Sequence, residues 1–320
     1  MNSEAIITPN ALTVLQKRAL HKDAEGKPLE TPDQLFRRVA KFVASPERQY
    51  DIPEARVAQI EEKFFQMMSR LEFISGQALR NADSKLTMSA CLVLPIEDNI
   101  EAIMQTIAEN VFAHKSTCGT GINYSRLRMK GALVGGVGAV AAGPVHFMKA
   151  VSVAQKTVQT KGGRSQGSMG ILNVDHPDIE SFIRAKDQEG EFDNMNISVG
   201  ATDAFMEAIR NDSNYDMVDP GSKTAVRQPR ARDIFRQIAE HAWTSGDPGV
   251  IFVDRLERDN PTPSLGKLDA TNPCGEQPLL PYETCNLGSI IVSRFVKAGS
   301  NGQPTIDWDR LKEAVYYGVR

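Results

Sequence analysis

The sequence predicts an α/β protein behind a mostly helical N-terminal region, and three observations carry that prediction. Residues 1–85 are polar, with apolar side chains recurring at helical spacing. From residue 86 to residue 320, short apolar runs alternate with amphipathic stretches of helical length, the pattern of βαβ units. No repeat or low-complexity linker breaks the 320 residues, so the chain divides at this shift alone, into 1–85 and 86–320.

The elements follow in order. Thr31-Pro32-Asp33 ahead of Gln34-Leu35-Phe36 reads as a helix start, with Thr31 as N-cap and Pro32 in the first turn, where its missing N–H costs nothing. Val57, Ile60, Phe64, Met67, Met68 and Leu71 form the packing stripe of another helix. Residues 87–94 are an apolar run ended by Pro95, which predicts a buried strand. Asp98 with Glu101 reads as an acidic variant of the capping box. The helix it opens has Ile100, Ile103, Met104, Ile107, Val111 and Phe112 as its apolar positions. Ser116 to Ile122 is a small-residue turn running into a strand, which completes a βαβ-like unit.

Residues 131–143 contain Gly136-Val137-Gly138 but neither GxGxxG spacing nor a following acid, so they predict a loop and not a dinucleotide site. Strands are predicted at 171–174, 195–199 and 249–252, with helices near 178–186, 202–211 and 231–243. Asp307-Trp308 opens a last helix with Trp308, Leu311, Val315 and Val319 on one face. That stripe reaches Arg320 without a stop signal, so the chain is expected to be incomplete.

Composition bounds the function. A hydrophobic content of 41%, a charged content of 24% and a net charge of −3 are ordinary for a globular protein and leave no basic footprint for nucleic acid. No stretch has the length of a membrane span, and the N-terminus lacks a secretory pattern, which makes the cytoplasm the default. Cys91, Cys118, Cys274 and Cys285 lie far apart without a CxxC pair, so neither a structural zinc site nor any other metal site is expected.

The most informative segment is residues 271–289. Asn272, Cys274 and Glu276 alternate at spacing two, and in extended backbone they would point to one face and meet one small molecule. Pro273 and Gly275 interrupt regular structure around the thiol, and the apolar run from Leu287 to Val292 predicts a buried strand beyond it. A second segment, 160–170, sets Lys161 and Arg164 among glycines. It suits close approach to a phosphate or a base as well as it suits a surface loop.

The Asn-Pro-Cys-Gly-Glu wording of residues 272–276 closely resembles the active-site loop of adenosylcobalamin-dependent ribonucleotide reductases. Further blocks resemble the N-terminal part of that family in the same order: Ser89-Ala90-Cys91, Gly119-Thr120-Gly121, Ser125-Arg126-Leu127-Arg128, and Gly162-Gly163-Arg164 through Asp178. The resemblance implies a ten-stranded α/β barrel of two five-stranded parallel halves, with the Cys274 loop inside and the barrel incomplete in this chain. It implies reduction of ribonucleoside di- or triphosphates started by adenosylcobalamin. In that reading Cys274 carries the thiyl radical, Glu276 is the general base at the 3′-hydroxyl and Asn272 orients the sugar. Cys91 and Cys285 are the electron-donating pair, restored by an external dithiol.

By the same carry-over, Ser75, Ala90, Cys91 and Gly119 join Asn272, Cys274 and Glu276 as substrate contacts. Asp98, Lys115, Arg128, Lys161 and Arg164 are implied contacts of a nucleoside triphosphate effector. Other implied partners are a C-terminal half or split partner chain and, where the chain pairs with itself, a second copy. Departures from the family pattern are Ser75-Gly76-Gln77-Ala78-Leu79 in place of Ser-Pro-Thr-Leu, and Cys118 where glycine is usual. Cys118 reads either as an inert buried residue or as an additional redox-sensitive thiol. Two rival functions stay open: a non-catalytic module that binds effector and dimerises, and an oxygen-dependent reductase with a separate radical subunit.

Overall fold

The computed structural model describes residues 7–135, 138–157, 166–299 and 302–320. They form two compact units, Met1–Ser89 with Asn286–Arg320, and Ala90–Cys285. The first unit begins with helices α1 (Pro9–Arg18), α2 (Pro32–Ala44) and α3 (Glu54–Ser69). The short strand β1 (Phe73–Ile74) and helix α4 (Gly76–Asn81) follow. Thr31 does cap α2, in a reciprocal box with Gln34 that satisfies two backbone N–H groups at once. Val57, Ile60, Phe64, Met67 and Met68 are buried with Leu35, Phe36 and Val39 of α2. Leu71 lies past the end of α3 at φ 54 and is only partly covered.

The second unit is a βα alternation. It runs β2 (Cys91–Val93), α5 (Ile100–Lys115), β3 (Gly119–Asn123), a hairpin of β4 (Leu133–Val134) and β5 (Ala139–Val140), and α6 (Pro144–Lys156). It continues through β6 (Ser168–Asn173), α7 (Ile179–Ile183), β7 (Met195–Ala201), α8 (Asp203–Asn211), a hairpin of β8 (Met217–Val218) and β9 (Ala225–Arg227), and α9 (Ala231–Ser245). Last come β10 (Gly249–Phe252), α10 (Val253–Arg258), a hairpin of β11 (Ala270–Thr271) and β12 (Pro278–Leu279), and β13 (Thr284–Cys285).

One six-stranded sheet has the order β10-β7-β6-β3-β2-β13. Its first five strands are parallel, as helical crossovers require, and β13 closes the edge antiparallel to β2. Ile122, Leu172 and Val199 of the strands are buried with Ile103, Met148, Phe182 and Ile234 of the helices. The chain then returns to the first unit. There β14 (Ser289–Ile290) pairs with β1, β15 (Val296–Ala298) pairs with β16 (Pro304–Ile306), and α11 (Trp308–Val319) follows.

Four expectations need correction. Asn99, not Asp98, caps α5, by accepting from the Ala102 N–H at 2.8 Å, because Arg128 takes the Asp98 carboxylate. The inner face of α5 is Ile103, Thr106, Asn110 and His114, whereas Ile100, Met104 and Phe112 are exposed, because the sheet beneath offers hydroxyl partners to Asn110 and His114 and the Pro95 carbonyl accepts from Thr106. The run from Leu287 to Val292 is no buried strand: only Ser289–Ile290 pairs, and Leu287 and Val292 are exposed. On α11, Ala314 and Tyr317 are the buried residues, while Trp308, Val315 and Val319 are exposed.

Candidate active site

Residues 272–277 form the turn between β11 and β12, so the expected extended spacing of Asn272, Cys274 and Glu276 gives way to a compact loop. Gly275 has φ +85, a left-handed conformation that glycine adopts without strain. Its N–H donates to the Asn272 carbonyl at 3.0 Å, the Asn272 N–H donates to the Gln277 carbonyl at 3.1 Å, and the Gln277 N–H donates to Asn272 Oδ1 at 3.0 Å. Asn272 is thus spent on building the turn through its oxygen, which leaves Nδ2 free to face Cys91 Sγ at 3.9 Å. Cys274 and Glu276 are exposed.

The hairpin lies on the sheet face opposite helices α5 and α6, and glycines make the room. A Cβ on Gly121 would stand 1.8 Å from the Thr271 carbonyl oxygen, and one on Gly119 would stand 2.7 Å from Pro273 Cγ. The alternating glycines of Gly119-Thr120-Gly121 were the sequence signal for that close approach. Asn196 on β7 was not anticipated, and its Nδ2 holds the Pro273 carbonyl at 2.7 Å. The sequence carried no signal for it, because only the register of β7 against β6 brings it there.

Cys285 sits directly opposite Cys91 on adjacent antiparallel strands, and the Ala90 N–H donates to the Cys285 carbonyl at 2.9 Å. Both thiols are buried and free. Burial, and next the neighbouring Cys285 thiol, push the Cys91 pKa far up. Cys118 is likewise buried and is pushed up to about 12, by burial first and then by Cys285. Near neutral pH both Cys91 and Cys118 therefore hold their protons.

The remaining expected residues fall into separate places. Asp98 and Arg128 meet, with Arg128 Nε on Asp98 Oδ2 at 2.8 Å and the Arg128 N–H on Oδ1 at 3.1 Å. Lys115 ends the 16-residue α5 that begins beside Asp98, so a helix length of about 24 Å separates them. Ser75 belongs to the other compact unit, where its hydroxyl caps α4 by accepting from the Ala78 N–H at 3.4 Å. Lys161 and Arg164 lie outside the described residues. Among the described residues no cluster of His, Cys, Asp and Glu could hold a metal ion, and no helix is long and apolar enough to cross a membrane.

Two family profiles divide the chain between them. The ribonucleotide reductase all-alpha domain matches residues 7–87, and the ribonucleotide reductase barrel domain matches residues 89–320. The chain belongs to the ribonucleotide reductase family. A vitamin B12-dependent ribonucleoside-diphosphate reductase of Thermoplasma acidophilum is 40% identical to this chain, over 98% of it and 48% of the relative. A protein of the same name from Mycobacterium tuberculosis is 39% identical over 97% of the chain and 44% of its own length. A ribonucleoside-diphosphate reductase subunit alpha of Helicobacter pylori is 24% identical over 83% of the chain. The chain spans about half the length of the curated relatives it matches.

Proposed function

We propose that this reductase chain carries the radical and redox residues of a B12-dependent ribonucleoside-diphosphate reductase. The observation that carries the reading is Cys285 facing Cys91 across one strand pair with Asn272 beside them. The five parallel strands would be one half of a ten-stranded barrel, and the other half would come from the part of the relatives' length that this chain does not span. Adenosylcobalamin fits an exposed thiol at the tip of an open turn, which Cys274 provides. That group, when bound, supplies homolysis of a cobalt–carbon bond.

Cys274 would give up the hydrogen of its S–H, and its thiyl would take the ribose 3′-hydrogen. Glu276, exposed on the same turn, would accept the 3′-hydroxyl proton. Asn272, its carboxamide oxygen fixed by the Gln277 N–H, would present Nδ2 to a sugar hydroxyl. Loss of the 2′-hydroxyl as water needs two electrons and two protons. The thiols of Cys91 and Cys285 supply both on forming a disulfide, which an external dithiol reopens. Cys91, kept protonated near neutral pH by burial and by the neighbouring thiol, suits a group that delivers hydrogen. Asp98 and Arg128 would form part of a nucleoside triphosphate effector site, with Lys115, Lys161 and Arg164 as further contacts, and effector binding would select the base reduced.

The test combines this chain, a polypeptide that supplies the remaining half, adenosylcobalamin, a dithiol and a ribonucleoside diphosphate. Deoxynucleotide should form, and Cys274→Ser should abolish it. Absence of product with every component present, while the chain still binds nucleotide, would favour a non-catalytic effector-binding module instead.

A further inference from the structure

Behind the seat of the reactive turn lies a buried polar cluster that the proposed chemistry does not use. Strands β3 and β6 run side by side there, with Thr120 directly opposite Ser168. On the hairpin face they present Gly119 and Gly167, where Cβ atoms would stand 2.7 Å and 3.5 Å from Pro273 side-chain atoms. Bare glycine leaves the two strand ends no side chain of their own on that face, so beyond the sheet ladder their side-chain anchors lie on the other side.

The opposite face holds them by hydrogen bonds. Thr120 Oγ1 donates to Asn110 Oδ1 at 2.5 Å and lies 2.8 Å from Ser168 Oγ. His114 Nε2 stands 3.1 Å from both hydroxyls. Ser168 Oγ donates to Gln155 Oε1 at 2.7 Å, and Gln155 Nε2 donates onward to the Gln166 carbonyl at 2.7 Å and the Asn194 carbonyl at 3.2 Å. Gln155 therefore brackets Gly167 on both sides. All of these side chains are almost fully buried. Burial also holds the His114 pKa down to about 4, so the cluster is neutral.

We infer that Thr120, Ser168 and Gln155 are positioning residues for Cys274, acting through the Gly119 and Gly167 seat and Pro273. The inference goes beyond the proposed reaction but rests on it for any effect on turnover. Geometry at a reacting atom is costly to lose, since misplacement by about an ångström can lower a rate by roughly 100-fold.

The test compares Thr120→Val, which keeps the shape and loses the hydroxyl, with Thr120→Ser, which keeps the hydroxyl. Hydrogen exchange in this chain reads the turn directly at the amides of Asn272, Gly275 and Gln277. Thr120→Val should speed exchange there by roughly tenfold and leave the amides of α8 and α9 unchanged, whereas Thr120→Ser should match the parent. In the reconstituted enzyme, kcat should drop in Thr120→Val with KM little altered, and should recover in Thr120→Ser.

Equal turn exchange in the parent and in Thr120→Val would overturn the inference, and so would faster exchange throughout the unit. Gln155→Met gives the same readout where the valine variant does not fold. Exchange does not depend on turnover, so a parent that makes no deoxynucleotide would defeat the proposed reaction without touching this result.

Discussion

The buried thiols and the exposed thiol of this chain are held by opposite means. Cys91 and Cys285 owe their meeting to sheet register: two residues far apart in sequence become neighbours because β13 pairs with β2. Cys274 owes its place to a local turn, with Pro273 before it, Gly275 after it and Asn272 bonding across the base. The first arrangement makes buried sulfur and the second makes accessible sulfur. On the proposed reading, one chain would keep a two-electron store apart from a one-electron site.

The largest expected effect attacks the seat they share. Gly121→Ala places a methyl where the Thr271 carbonyl already lies, and should cost roughly 3 kcal/mol in urea unfolding. A parent-like midpoint would mean that the hairpin is not docked on β3.

Alkylation at pH 8 addresses the contrast itself. Cys274 should be modified first, with Cys91, Cys118 and Cys285 slower by roughly 100-fold, as peptide mass spectrometry would report. Comparable rates at Cys91 and Cys274 would erase the distinction between the two kinds of site.

The pH dependence is smaller. Burial holds His114 at about 4 against 6.5 for the free side chain, so the unfolded chain binds the additional proton between those values. The stability contributed is complete above about pH 6.5 and is lost as the pH falls toward 4. Denaturant midpoints should drop across that window, and the slope should flatten in His114→Gln. An identical slope in that variant would assign the effect to other groups. The smallest effect is Gly275→Ala, about 1 kcal/mol for a Cβ in the left-handed region, read as a shift in melting temperature.

What could be read in the sequence follows the same division between local and distant. The Thr31 cap, the stripe on α3, the βα alternation and the interrupted loop around Cys274 are spelled by neighbours within a few residues, and the structure contains them. The cap of α5 is not legible because Asp98 and Asn99 are both competent caps, and only Arg128, brought in by the fold, decides between them. The inner face of α5 is not legible because Asn110 and His114 look like solvent residues until hydroxyls on the sheet supply partners, and Thr106 until its hydroxyl donates to the Pro95 and Ala102 carbonyls. The extended reading of 272–276 failed because a hairpin turn needs only the Pro and Gly already visible there, together with a bond across its base.

The pairing of Cys91 with Cys285 has one further consequence, for the chain as a polymer. A bond between them would close a loop of roughly 200 residues, and cross-links of that span restrict the unfolded ensemble by up to about 5 kcal/mol. If the proposed reaction runs, each reductive turnover would leave the protein tied into a ring, and each re-reduction would cut it open. Resistance to unfolding would then report whether that thiol pair still holds its electrons.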